Sequence, residues 1–170
     1  MFNMFDMIPK KEVEEFIQSL FPLQMDVEVK KLKPEAKLPE QGSGAAAGYD
    51  VFACLDTDEI LIDPHTTVKV GTGLALAPPA GTWVGVFARS GLATKQGLRP
   101  ANCTGVCDED YRGEYIVAVH NDSDEIQKIE NGEKIAQLIL LPRLTMKFKE
   151  VDELNDTKRG TGGFGSTGRK

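Results

Sequence analysis

"VGTGLALAPPAGTWVGVFA", from Val70 to Ala88, runs for nineteen residues without a charged side chain. By length and apolarity it would suit a membrane-spanning helix. It also carries Gly71, Gly73, Gly81, Gly85 and the pair Pro78-Pro79. A helix loses hydrogen bonds at internal prolines and backbone entropy at each glycine, whereas two strands joined by a "PPAGT" turn accommodate both. The stretch is therefore read as a β-hairpin, and no membrane association is expected.

Working outward, everything after about Met25 has the same character. "MDVEVKKL" alternates, and "QGSGAAAG" is a small-residue loop. "GYDVFACL", "EILI", "TWVGVFAR", "EYIVAVHN", "KIAQLILL" and "TMKFKEV" are β-branched or apolar runs separated by Gly, Pro, Asn and Asp. Many short strands at this spacing predict an all-β barrel or sandwich, with a jelly roll as the expected form. One segment alone reads as helix: Pro9 at a first helical position, Glu12, Glu14 and Glu15 in the early turns, and Val13, Phe16, Ile17 and Leu20 on one stripe, with Pro22 ending it. The expected organisation is a helical extension (1–24), a β domain (25–156) and a glycine-rich arm (157–170).

The chain has 170 residues, 20 basic and 26 acidic, for a formal charge of −6. Nucleic acid and anionic membranes demand a basic surface, so neither is an expected partner. A polyanionic ligand would need local arginines or a divalent cation. Cys54, Cys103 and Cys107 form no CxxC pair, and with only His65 and His120 to join them no zinc spacing arises. They are expected to be free, buried thiols, which suits a reducing cytoplasm. "MFNMFDMIPKK" has neither a basic n-region nor an apolar h-region, so no signal peptide is expected.

Several short motifs bear chemistry. "GTGGFG" (Gly160 to Gly165) fits G-x-G-x-x-G in letters only, because no strand leads into it and no helix has room to follow. "FARSGLA" sets Arg89, Ser90 and Gly91 just past a strand: a forked donor, a hydroxyl and a bare backbone N–H for an anion, or else an ordinary strand end. "GVCDEDYRGEY" crowds Asp108, Glu109 and Asp110 against Tyr111 and Arg112; acidic turns are commonly solvated, yet a carboxylate beside an aromatic can also orient a water. "AAGYD" offers Asp50 where a loop enters a strand, and Gln137 interrupts an apolar run, so it needs a partner if buried. In "RGTGGFGSTG" five of ten residues are glycine, yet the segment carries a ring, the hydroxyls of Ser166 and Thr167 and an arginine, groups suited to ordering on a flat, anionic ligand.

In their order and spacing, "AAGYD", "ARSGLA", "GVCDEDYRGEY", "GEKIAQLIL" and "RGTGGFGSTG" resemble the five motifs of the trimeric dUTP pyrophosphatases, or dUTPases. The resemblance runs from roughly Met25 to the C-terminus. It departs at Ala88, where the family usually has proline, and at Cys107, where it usually has an aliphatic residue. It implies a jelly-roll subunit in a homotrimer, with active sites shared between chains, and Mg2+-dependent hydrolysis of dUTP to dUMP and pyrophosphate, the dUMP feeding thymidylate synthesis.

By that resemblance Asp108 activates the attacking water. Asn102, Gly105, Val106, Cys107, Tyr111, Ile116 and Phe164 bind uracil and deoxyribose. Arg89, Ser90, Gly91, Gln137, Arg159, Gly165, Ser166 and Thr167 bind the phosphates, and Asp50 meets the metal through a water. The implied setting is the cytoplasm, or a host's cytoplasm for a phage or virus. Two rivals stand beside this reading. A related dCTP deaminase would use a mid-strand glutamate, and "YIVAVH" has none. A nucleotide-switched binding protein would use the N-terminal helix as a docking element for a protein partner.

Overall fold

The computed structural model describes residues 9–12, 15, 24–164 and 166. Within them lie twelve strands: β1 (Glu28–Lys31), β2 (Glu40–Gln41), β3 (Tyr49–Phe52), β4 (Glu59–Ile62), β5 (Thr67–Gly71), β6 (Leu74–Ala77), β7 (Thr82–Phe87), β8 (Leu98–Pro100), β9 (Thr104–Cys107), β10 (Ile116–Asn121), β11 (Gln127–Glu130) and β12 (Lys134–Pro142). They form four sheets ordered β1-β6, β5-β10-β8, β11-β4 and β2-β3-β12-β7-β9, with every pairing antiparallel. The all-β expectation holds, and no helix among the described residues is long and apolar enough to cross a membrane.

Alternation builds the core. In β10, Val117, Val119 and Asn121 turn inward while Ile116 faces out. Ile62, Val70, Leu74, Leu98 and Ile129 are among the fully buried side chains at its centre. Asn121 is a buried polar side chain, as are Thr72 and Thr82, and its hydrogen bonds explain its place. Its Nδ2 donates to Ile62 O (3.0 Å) and Glu125 O (2.8 Å), and its Oδ1 accepts from Ser123 N (2.9 Å) and Ser123 Oγ (2.7 Å). A fully satisfied amide pins the end of β10 to β4 at little cost.

Three expectations need correction. Val70 to Ala88 does contain two strands and a turn, but they do not form a hairpin. β6 pairs with β1, and β7 lies between β12 and β9 in another sheet. The "PPAGT" turn carries the chain from one sheet to the next. "TMKFKEV" is not a strand: β12 ends at Pro142, and residues 143–150 find no strand to pair with among the described residues. Finally, a short helix, α1 (Ser90–Lys95), follows β7 and buries Leu92, although only the N-terminal segment reads as helix from the sequence. Of the N-terminal helix, Lys10–Glu12 and Glu15 are helical, and Lys11 and Glu15 approach to 3.8 Å one turn apart. Its apolar stripe, Val13, Phe16, Ile17 and Leu20, lies outside the described residues.

Candidate active site

β7 and β9 run side by side in the five-stranded sheet, and β10 begins just after the turn that follows β9. Between them opens a cleft of about 250 Å³. Asn102, Gly105, Val106, Cys107, Asp108, Tyr111 and Ile116 all line it. Seven of the eight residues expected to hold the base and sugar, or to do the chemistry beside them, thus converge. The eighth, Phe164, stands fully exposed on the C-terminal arm with a left-handed backbone (φ 46°).

Local bonds set this geometry. Thr104 N–H donates to Asn102 O at 2.6 Å, closing a tight turn in which Cys103 takes φ 62°. Tyr111 N–H donates to Asp108 O at 3.1 Å, and Tyr111 Oη donates to Glu114 O at 3.0 Å, folding the ring back over the turn. A Cβ at Gly113 would collide with the Tyr111 hydroxyl, so this tyrosine position needs glycine two residues on. Gly105 is likewise pressed against Val86. Glu114 Oε1 accepts from Gly73 N–H at 2.7 Å, bracing the turn against the bend between β5 and β6.

A second cluster lies at the ends of β3, β7 and β12. Register places Gln137 beside Asp50 on one side and Phe87 on the other. Arg89 Nε donates to Asp50 Oδ1 at 2.8 Å, Lys134 Nζ sits 2.9 Å from Asp50 Oδ2, and Arg89 Nη1 donates to Lys134 O at 3.2 Å. A bulge between Lys134 and Ala136 accompanies the approach of Lys134 to Asp50. Gln137 Nε2 finds the partner its setting demanded in Ala88 O, at 2.9 Å. Ser90 and Gly91 are exposed at the start of α1, and a Cβ at Gly91 would meet nothing within 4 Å. Within one chain, Asp50, Arg89, Ser90, Gly91 and Gln137 do not line the cleft.

On the arm, Arg159 Nε donates to Gly162 O at 2.8 Å and Ser166 N–H to Gly163 O at 3.0 Å, both local turns. Gly165 and Thr167 lie outside the described residues. The cysteines are free as expected, but only Cys54 is fully buried; Cys107 is half-buried and Cys103 exposed. Among the described residues no three His, Cys, Asp or Glu side chains gather as a metal cage. Asp50 has both oxygens engaged, by Arg89 and by Lys134, which leaves neither free for direct metal ligation.

Reading motifs alone missed Val86, Pro100, Glu114, Tyr115, Val117 and Ala118 in the cleft wall and Lys134 on Asp50. The inward phase of Tyr115, Val117 and Val119 was the available signal for part of this wall.

Solved structures identify the class of fold. The dUTPase of Staphylococcus bacteriophage 80alpha, with dUpNHpp, matches with a TM-score of 0.76 at 28% identity, covering 85% of this chain and 99% of that one. A dUTPase of phage phi11 of S. aureus, described with a coordinated structural Mg(II) ion, matches with a TM-score of 0.67 at 25% identity, covering 78% and 100%. The fold is that of the dUTPases. The family profile "dUTPase" matches residues 34–168. A deoxyuridine 5'-triphosphate nucleotidohydrolase of Desulfitobacterium hafniense is 50% identical over 133 residues, 78% of this chain and 87% of the relative. One from Hydrogenobaculum sp. is 44% identical over 146 residues, 86% of this chain and all of the relative. The chain belongs to the dUTPase family.

Proposed function

We propose that the protein hydrolyses dUTP to dUMP and pyrophosphate, with the cleft as its deoxyuridine site and Asp108 as the base that orients and deprotonates the attacking water. The observation that carries this reading is the convergence of Asn102, Gly105, Val106, Cys107, Asp108, Tyr111 and Ile116 on one cleft in a chain of this family.

Uracil's hydrogen-bonding edge meets Asn102 and the backbone of Gly105 to Cys107, which rejects cytosine's amino group. Tyr111, folded back over its own turn, packs under the sugar and leaves no room for a 2′-hydroxyl. A site made of hydrogen bonds and close walls discriminates far better than an apolar pocket. Arg89, Ser90, Gly91 and Gln137 hold the phosphates; Arg89 keeps donors beyond those committed to Asp50, and the space open beside Gly91 leaves its backbone approachable.

Mg2+, bound with the triphosphate, would neutralise charge on the transferring group, and Asp50 is the residue that would face it through water. Attack in line at the α-phosphorus then draws on positioning and charge stabilisation more than on covalent chemistry.

The separation of the phosphate cluster from the cleft within one chain supports a homotrimer whose sites are completed by neighbours. So do Leu144, Met146, Phe148 and Leu154, which are 75–88% exposed along the segment leaving the body. In that assembly residues 157–170 close over a neighbour's site: Phe164 stacks on uracil, Arg159 pairs with the terminal phosphate, and Gly165, Ser166 and Thr167 complete the cage. Residues 1–24 precede the matched region and are the proposed place for a protein partner. A pull-down lost on removing them, but kept by Asp108→Asn, would support that role. The setting for all of this is the cytoplasm.

The test is pyrophosphate release from dUTP, dTTP, dCTP and UTP with magnesium, alongside ammonia release from dCTP. Turnover of dUTP alone is expected. Equal turnover of all four, or ammonia from dCTP, would overturn the assignment.

A further inference from the structure

One side chain in the cluster around Asp50 has no part in the scheme above. Lys134 opens β12, where the bulge sets Ile135 and Ala136 side by side in the core and leaves Lys134 partly exposed outside them. It touches both members of the Arg89–Asp50 pair. Its Nζ lies 2.9 Å from Asp50 Oδ2, and its carbonyl accepts from Arg89 Nη1 at 3.2 Å, while Arg89 Nε donates to Asp50 Oδ1 at 2.8 Å. The three contacts close a ring.

A second arginine–aspartate pair in the same molecule shows what the lysine changes. Arg99 grips Asp122 with its full fork: Nε donates to Oδ2 and Nη2 to Oδ1, the latter at 3.0 Å. His120, 3.4 Å from Oδ1, does not prevent this. Both oxygens and the whole outer edge of that guanidinium are spent on each other, the ordinary outcome for such a pair. At Asp50 the second oxygen is taken by Lys134, so the fork cannot close. Arg89 is held by Nε and Nη1, which fixes its plane, and Nη2 has no protein acceptor among the described residues. The lysine is itself held: its Nζ stands over the Phe52 ring, 5.7 Å from the centroid, on a side chain only 6% exposed.

We propose that Lys134 is a positioning residue that occupies Asp50 Oδ2 and thereby keeps Arg89 Nη2 turned out, oriented and available to the triphosphate. The inference rests on Arg89 being a phosphate ligand. It gives Lys134 a role without contact to substrate, acting through Asp50.

The test measures steady-state turnover of dUTP, and competitive inhibition by deoxyuridine, which has no phosphates, on the full-length protein and on Lys134→Met. Methionine keeps the stem and removes the charge, and thermal melting checks folding; should that variant melt too low to assay, Lys134→Gln carries the same comparison. KM for dUTP should rise about tenfold with kcat little changed, and deoxyuridine should inhibit as before. Lys134→Arg should recover most of the loss. In an Asp50→Asn background Lys134→Met should cost almost nothing more, since its route to Arg89 is already cut. Equal losses for dUTP and deoxyuridine would make Lys134 a structural part only, and a full loss persisting in the Asp50→Asn background would mean direct contact with phosphate; either overturns the inference. If the unaltered protein does not turn over dUTP, the underlying reading falls first; if it does and Lys134→Met keeps its KM, this inference alone falls.

Discussion

The cleft and the segment that leaves β12 after Pro142 are built in opposite ways. Around the cleft, each turn is closed by short bonds of its own, and Glu114 ties the acidic turn to another sheet. Its walls are core strands. Beyond Pro142 the large apolar side chains face solvent, and the arm's bonds reach only three residues along the chain. One region is held by bonds within the chain, and the other leaves its large apolar side chains exposed. A surface preorganised in this way avoids an ordering cost on binding, while the exposed rings and methyls beyond Pro142 gain only if something covers them.

The largest expected effect breaks the cleft and spares the arm. Asp108→Asn keeps the shape of an exposed side chain but removes the proton acceptor, so kcat should fall about 10²- to 10⁴-fold with KM nearly unchanged. Steady-state pyrophosphate release measures this, and wild-type kcat in the variant would remove Asp108 from the mechanism. The reciprocal change ends the chain after Asp156. The core lies wholly before that point, so melting temperature should hold while kcat drops about 10²-fold through lost positioning. Unchanged kcat would mean that the arm does nothing at the site.

A third change probes the cluster around Asp50, which is preorganised like the cleft. Asp50 is 15% exposed and holds both Arg89 and Lys134. Asp50→Asn leaves two cations facing one neutral amide and should cost about 1–3 kcal/mol in denaturant unfolding. KM for dUTP should rise as Arg89 loses its fixed orientation. A variant as stable as the parent would show that the pairs are solvated and hold nothing in place.

The same contrast decides how much was legible beforehand. The cleft residues that the motifs named cluster along a short stretch of chain, from Asn102 to Ile116, so there motif and geometry coincide. Strand existence was legible too, because inward and outward positions alternate. Strand partnership was not. "LALA" and "TWVGVF" are apolar, adjacent and joined by a turn, which suits a hairpin, yet each pairs with a strand distant in sequence. No local signal encodes that choice, since it is set by which edges remain free once the core closes. "TMKFKEV" errs the other way: its alternation is real, but a strand needs a partner, and its own chain supplies none among the described residues. Lys134 was hidden because a bulge, invisible to simple alternation, accompanies its approach to Asp50.

Glu109 joins the two regions and gives the smallest and most local test. It follows Asp108, and its Oε2 accepts from Gly81 N–H at 2.8 Å and from Arg143 Nη2 at 3.1 Å, while Arg143 N–H donates to Gly81 O at 2.8 Å. The first residue beyond β12 is thus held to the acidic turn. The Gly81 N–H, and then the Arg143 guanidinium, draw the Glu109 carboxyl below its usual 4.5. The folded state therefore favours the ionised form more than the unfolded chain does. The contribution is complete above 4.5 and is lost as pH falls through the lowered folded value. Because the group is solvent-accessible, salt screens the effect and it stays small. At low ionic strength the wild type should melt slightly above Glu109→Gln at neutral pH, and the gap should close on acidification. A gap that stays flat, or widens in acid, would cut the link between the arm's root and the turn that carries Asp108.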